Sequence, residues 1–109
     1  MANFSAQLPE IFGALSDPTR LAVVERLMRG PASVSELGKP FDMAGPSFLK
    51  HIRVLEEAGL TRSQKKGRVR TVTLRPAALR WVERWVERHR DLWEQRLDDL
   101  GTFLAKGKK

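Results

Sequence analysis

Apolar residues recur at helical spacing through most of the chain and switch to alternation in one segment. Phe4, Leu8, Ile11, Phe12 and Leu15 follow one another at four, three, one and three residues, which places them on one face of a short helix. Pro9 falls near its start, where proline is tolerated. Ser16-Asp17-Pro18 predicts a second helix, with Asp17 as N-cap and Pro18 as the first helical residue, whose missing N–H costs nothing there. Leu21, Val24, Leu27 and Met28 form its expected apolar face, and Gly30-Pro31 ends it. Ser33-Val34-Ser35-Glu36 has the form of a capping box and opens a short helix that Gly38 and Pro40 stop. Val34 and Leu37 are its inward residues, and Phe41 and Met43 pack in the following turn. Gly45-Pro46 opens the next helix, on which Phe48, Ile52 and Leu55 share a buried face flanked by His51. Gly59 ends that helix at a left-handed C-cap position.

From Leu60 to Arg75 the pattern changes. Val69, Thr71 and Thr73 alternate with Arg70, Val72 and Leu74, and the β-branched content suits a strand. Lys66-Gly67 supplies a turn, so a β-hairpin is expected with strands near 60–65 and 69–74. Pro76 then starts a last helix reaching to about Leu104, on the order of 40 Å long. Leu79, Val82, Val86, His89, Trp93, Leu97, Leu100 and Leu104 make one apolar stripe along it; Trp81, Trp85, Leu92 and Phe103 make a second.

Composition narrows what such a chain can do. Its 109 residues suffice for one modest core. There is no cysteine, which excludes disulfides, thiolate metal sites and cysteine catalysis. No apolar run is long enough to span a bilayer, and Met1-Ala2-Asn3-Phe4-Ser5 lacks the layout of a secretory signal, so a cytoplasmic protein with no membrane partner is expected. The net charge of +7 favours a polyanionic partner. Between Leu60 and Arg75 the basic residues Arg62, Lys65, Lys66, Arg68, Arg70 and Arg75 are interrupted by no acid.

Helix, tight turn and helix followed by a basic hairpin is the order of a winged helix-turn-helix: mainly α with a small β-hairpin wing. The second helix of the pair is the one a DNA major groove admits. With Phe48, Ile52 and Leu55 turned inward, its opposite side carries Pro46, Lys50, Arg53 and Glu57, with Ser47 and Leu49 on the flanks. Pro46, Ser47, Lys50 and Arg53 are therefore the candidate DNA contacts of this helix, Ser47 and Lys50 toward base edges and Arg53 toward a phosphate. Lys65, Lys66 and Arg68 surround Gly67 at the wing tip, and Arg62 and Arg70 are further candidates for the phosphate chain or minor groove. His51 is expected to be packed or capping and His89 to be packed, and the tryptophans Trp81, Trp85 and Trp93 to serve packing rather than a ligand cage.

Asp17-Pro18-Thr19-Arg20 with the Leu21–Leu27 run resembles the second-helix signature of the ArsR family of bacterial repressors. Ser35-Glu36-Leu37 resembles its third helix, and Pro46 to Leu60 is similar to its recognition helix, with Gly67-Arg68 where its wing turns. The resemblance covers roughly residues 5–75. It implies a homodimeric repressor on an inverted-repeat operator in double-stranded DNA, pairing through the first and last helices, and released by an effector, here a small-molecule inducer of unknown identity. Phe4, Leu8, Trp85, Leu92, Trp93 and Leu97 are then the candidate dimer-interface residues. The expected layout is one domain over residues 1–109, with the helix-turn-helix at about 33–59, the wing at about 60–75 and a dimerisation helix at about 76–104. The family's metal sensors carry third-helix cysteines or aspartate–histidine pairs on the last helix. Val34–Gly38 has no cysteine and the last helix has only His89 with Asp91 nearby, so no metal and no cofactor are expected. Ala44 and Leu49 stand where related sequences often have serine, so the family's contacts at those positions are not carried over.

Two other functions fit parts of this pattern: a nucleoid-type, non-specific DNA-binding protein, and a winged-helix protein-interaction module using the tryptophan-bearing helix. An enzyme is disfavoured because no nucleophile–base pair is visible. RNA binding is disfavoured because the chain has no tyrosine and no aromatic stacking platform outside its last helix.

Overall fold

The structure is a computed structural model that describes residues 4–107, with side chains from 7 to 105. Its elements run α1 (Phe4–Leu15), α2 (Pro18–Leu27), β1 (Ala32–Ser33), α3 (Val34–Gly38), α4 (Gly45–Glu57), β2 (Thr61–Lys66), β3 (Val69–Leu74) and α5 (Pro76–Gly107). The helix starts follow from their caps. The Asp17 carboxylate accepts from the Arg20 N–H at 3.0 Å ahead of Pro18. Ser33 Oγ accepts from the Glu36 N–H at 3.1 Å while Glu36 Oε1 accepts from the Ser33 N–H, so the capping box is closed in both directions. α4 ends in a Schellman turn. Gly59 has φ +81°, its N–H bonds the Glu56 carbonyl and the Leu60 N–H bonds that of Leu55.

The chain divides into two compact units, one up to Leu79 and one from Arg80 on. In the first, α1 packs on α2 and α4, and α2 also packs on β3. Ile11, Val23, Val24, Leu55, Leu60 and Val72 are its largest fully buried apolar side chains. Phe48, Ile52 and Leu55 are buried together, as their spacing requires. On α2 the inward face is Val23, Val24 and Leu27, whereas Leu21 and Met28 are exposed. Of the expected face, Val24 and Leu27 turn inward, and Val23 joins them in place of Leu21 and Met28, because the neighbours on α1, α4 and β3 lie on that side. Within the helix-turn-helix, α3 and α4 approach closely at Gly38. A Cβ there would lie 3.3 Å from the Phe48 ring, which in turn stacks on Phe41 at 5.7 Å between centroids.

The expected two-stranded hairpin is the larger part of a three-stranded antiparallel sheet in the order β1-β3-β2. β1 pairs Ala32 with Val72 and Ser33 with Thr71. In the hairpin Thr61 faces Leu74, Ser63 faces Val72, Lys65 faces Arg70 and Lys66 faces Val69. Lys66↔Val69 closes a two-residue loop, Gly67-Arg68. Gly67 has φ +64° and Arg68 a negative φ, the signature of a type II′ turn. The second unit is the helical segment from Arg80 to Gly107, a continuous part of α5.

Candidate nucleic-acid interface

α4 is held by its apolar face and presents the other. Pro46, Ser47, Lys50 and Arg53 are all exposed. Its cap residue Ala44 makes no side-chain hydrogen bond, so the first N–H groups of α4 have no partner from the cap. Its orientation is further fixed by Arg20. The guanidinium donates from Nε to the Ala14 carbonyl at 2.7 Å, from Nη2 to the Gly13 carbonyl at 3.4 Å and from Nη1 to His51 Nδ1 at 3.1 Å. One side chain at the start of α2 therefore ties the end of α1 to the middle of α4. Asp17 Oδ2 lies 3.7 Å from His51 Nδ1. The Arg20 N–H bond, with the Arg20 guanidinium nearby, holds the Asp17 carboxyl below its ordinary pKa. His51 is thus the packed histidine expected, and Arg20 is a positioning residue that the sequence pattern does not single out. A cation in the first turn of a helix opposes the helix dipole, and that is the available signal.

The wing separates its cations by face. Directly paired residues of an antiparallel hairpin point to the same side, and sides alternate along each strand. Thr61/Leu74, Ser63/Val72 and Lys65/Arg70 therefore share one face, which begins in the core and ends in two cations. Arg62, Gln64 and Lys66 project from the other. Lys65, Arg68 and Arg70 line a groove of about 420 Å³ together with Ser33, Val34, Ser35, Leu49 and Val69. No acidic residue is among them. Arg70 Nη1 donates to Ser63 Oγ at 3.1 Å, which braces its stem across the strands. Arg62 borders a separate shallow depression with Gln64 and Thr73. So the structure gathers Lys65, Arg68 and Arg70 beside α4 and sets Arg62 and Lys66 apart on the outer face. Ser33 and Ser35 also reach this groove; neither is among the candidate DNA contacts of the sequence.

A helix-turn-helix domain family matches residues 15–64, the stretch from the end of α1 into β2. HTH-type transcriptional regulator Rv2034 of Mycobacterium tuberculosis is 39% identical over 66 residues, 61% of this chain; the chain spans 62% of that relative's length. Transcriptional repressor SdpR of Bacillus subtilis is 26% identical over 76 residues, covering 70% of this chain and 84% of the relative. The crystal structure of the ArsR family transcriptional regulator RHA00566 superposes with a TM-score of 0.80 at 55% identity, covering 86% of this chain and 97% of that one. The chain belongs to the ArsR family of transcriptional regulators. That is a family of DNA-binding regulators rather than enzymes.

In this ArsR-family chain the remaining candidate residues lie on α1 and α5. Leu8 is half-buried, and the Phe4 side chain lies outside the described residues. Trp85, Leu92, Trp93 and Leu97 are 41%, 53%, 64% and 58% exposed along α5. His89 donates from Nδ1 to the Trp85 carbonyl at 2.8 Å and stacks on the Trp85 ring at 4.3 Å, so it is fixed within its own helix. Among the described residues no three histidine, aspartate or glutamate side chains come together where they could hold a metal ion. No helix among them is long and apolar enough to cross a membrane.

Proposed function

We propose that the protein is a homodimeric transcriptional repressor that binds an inverted-repeat operator in double-stranded DNA. The observation that carries this reading is the acid-free groove between the wing and α4, lined by Lys65, Arg68 and Arg70 beside the exposed face of α4. A duplex whose major groove receives α4 brings a phosphate chain toward that wing. Ser47 and Lys50 then read base edges. Arg53, Lys65, Arg68 and Arg70 neutralise phosphates, joined by Arg62 and Lys66 where the chain passes the outer face of the wing. Pro46 sets the first turn of α4 against the backbone, where the N–H groups without a cap bond favour an anion. A second copy pairs through the apolar stripe of α5, with Phe4 and Leu8 of α1 as further interface residues. This sets two recognition helices about one DNA turn, ~34 Å, apart. Repression follows from occupying a promoter; the repressor named among its relatives supports that sense of regulation. The protein then acts in the cytoplasm with the chromosome, and an inducer is any small molecule that releases the operator.

The test is a binding selection of the full chain from random duplex DNA at near-physiological salt. An enriched inverted repeat with half-sites one turn apart is the expected result. Salt-sensitive retention without a motif would replace this reading with a nucleoid-type protein, and no retention would leave a protein-interaction module.

A further inference from the structure

Leu49 is out of place on a surface meant only for phosphates. Its neighbours Phe48 and Ile52 are only 4% and 3% exposed, whereas Leu49 is 43% exposed on α4. It lines the groove beside the wing, where Leu49, Val34 and Val69 supply the apolar surface and Lys65, Arg68, Arg70, Ser33 and Ser35 the polar surface. Such a groove suits a ligand with an anionic chain and an apolar projection. Leucine has neither donor nor acceptor, so it cannot pair with the polar edge of a base, and pressing it against one leaves that edge without a partner. Among base edges in the major groove, the only apolar group is the thymine methyl.

From this we propose that Leu49 is a specificity-determining residue that selects thymine by burying its 5-methyl group in the groove between α4 and the wing. The inference rests on the DNA-binding reading above and adds to it a base and a position. Leu49 favours thymine by apolar contact and disfavours cytosine at the same position, because the cytosine amino group would lose its water and gain no acceptor.

The experiment uses the full chain and the operator recovered by selection. Each thymine is replaced singly by deoxyuridine, which removes the methyl and keeps the hydrogen-bonding edge, and Kd is measured by fluorescence anisotropy at fixed salt. At one thymine in each half-site, deoxyuridine is expected to weaken the parent protein about three- to five-fold, the worth of burying one methyl-sized group. Leu49→Ala should show no loss at that position, and Leu49→Met should retain it. Thermal unfolding of both variants should match the parent, since Leu49 lies outside the core. A methyl effect that is absent at every position, or unchanged in Leu49→Ala, overturns the inference while leaving operator binding intact. Failure of every duplex to bind overturns the DNA-binding reading itself.

Discussion

Arg20 illustrates how much of the interface is decided away from the groove. Its guanidinium meets two α1 carbonyls and His51 of α4, and its own N–H is held by Asp17. The caps were legible in the sequence, because a cap is local: Asp17 before Pro18 and Ser33 three residues before Glu36 need no tertiary knowledge. The Arg20–His51 bond was not, because 31 residues separate the two and no local pattern records that pairing. The Asp17 cap makes a pH-dependent prediction. Its carboxyl pKa is lowered in the folded chain from 3.8, first by the Arg20 N–H bond. A depressed carboxylate stabilises the fold fully above its unfolded pKa and loses that contribution as pH falls through the folded one. Asp17→Ala should cost about 1 kcal/mol in urea unfolding at pH 7. The difference between parent and variant should narrow when the same melts are run at pH 3; a cost that does not change with pH would mean that the charge of Asp17 is irrelevant to the cap. At the same scale, Lys50 and Arg68 separate reading from holding. Lys50→Ala should weaken operator binding and blur sequence preference, whereas Arg68→Ala should weaken binding to all duplexes alike. Competition between operator and random duplex measures both, and an unchanged preference in Lys50→Ala would remove it from base reading.

At the scale of the element, the wing carries a feature that works against its own stability. Lys65 and Arg70 are directly opposed across the hairpin, and like charges in that relation are destabilising. Nothing acidic lines the groove beside them. The proposed phosphate contact would relieve this opposition with an anion supplied from outside. The variant Lys65→Ala/Arg68→Ala/Arg70→Ala should therefore unfold at the same temperature as the parent or slightly above it. Its log–log dependence of DNA affinity on salt should be shallower by about 0.9 for each phosphate that the bound dimer no longer neutralises. A marked drop in unfolding temperature would mean that the cations serve the fold, through the Arg70–Ser63 bond or otherwise, and the case for an anion site would weaken. The hairpin itself was legible from its alternation and from Gly67, whose positive φ fits the first position of a type II′ turn. β1 was not, since two residues cannot display a period and Ser33 already read as a cap. The face of α2 was legible only in Val24 and Leu27 for a related reason: an amphipathic period fixes a spacing, and only the packed neighbours decide which flank of the stripe turns inward.

The whole molecule must account for α5. In a single chain, Trp93, Leu97, Leu100, Phe103 and Leu104 are between 51% and 71% exposed along one helix. Burying large side chains of this kind is worth roughly 1.5–3 kcal/mol each, so a helix that leaves five of them in water forgoes a large part of what such residues contribute elsewhere. In the proposed dimer a second copy of the same helix would cover the stripe without any new sequence, and a two-fold axis would make each protomer's surface its own complement. Dimerisation would also account for the reach of the proposed operator. A single α4 would bind one half-site weakly, and joining two would convert the second binding event into an intramolecular one, which raises affinity by roughly 10²–10⁴. Leu97→Glu places a charge in the middle of the stripe, where a paired helix would have to desolvate two of them. The parent should sediment as a dimer and Leu97→Glu as a monomer. The variant should bind the full operator at least about a hundred-fold more weakly than the parent. It should bind an isolated half-site, with α4 and the wing untouched, as the parent does. A parent that sediments as a monomer at micromolar concentration would remove the dimer from the proposal. Loss of half-site binding in the variant would instead show that α5 holds the helix-turn-helix in shape, and that the stripe belongs to the fold of one chain.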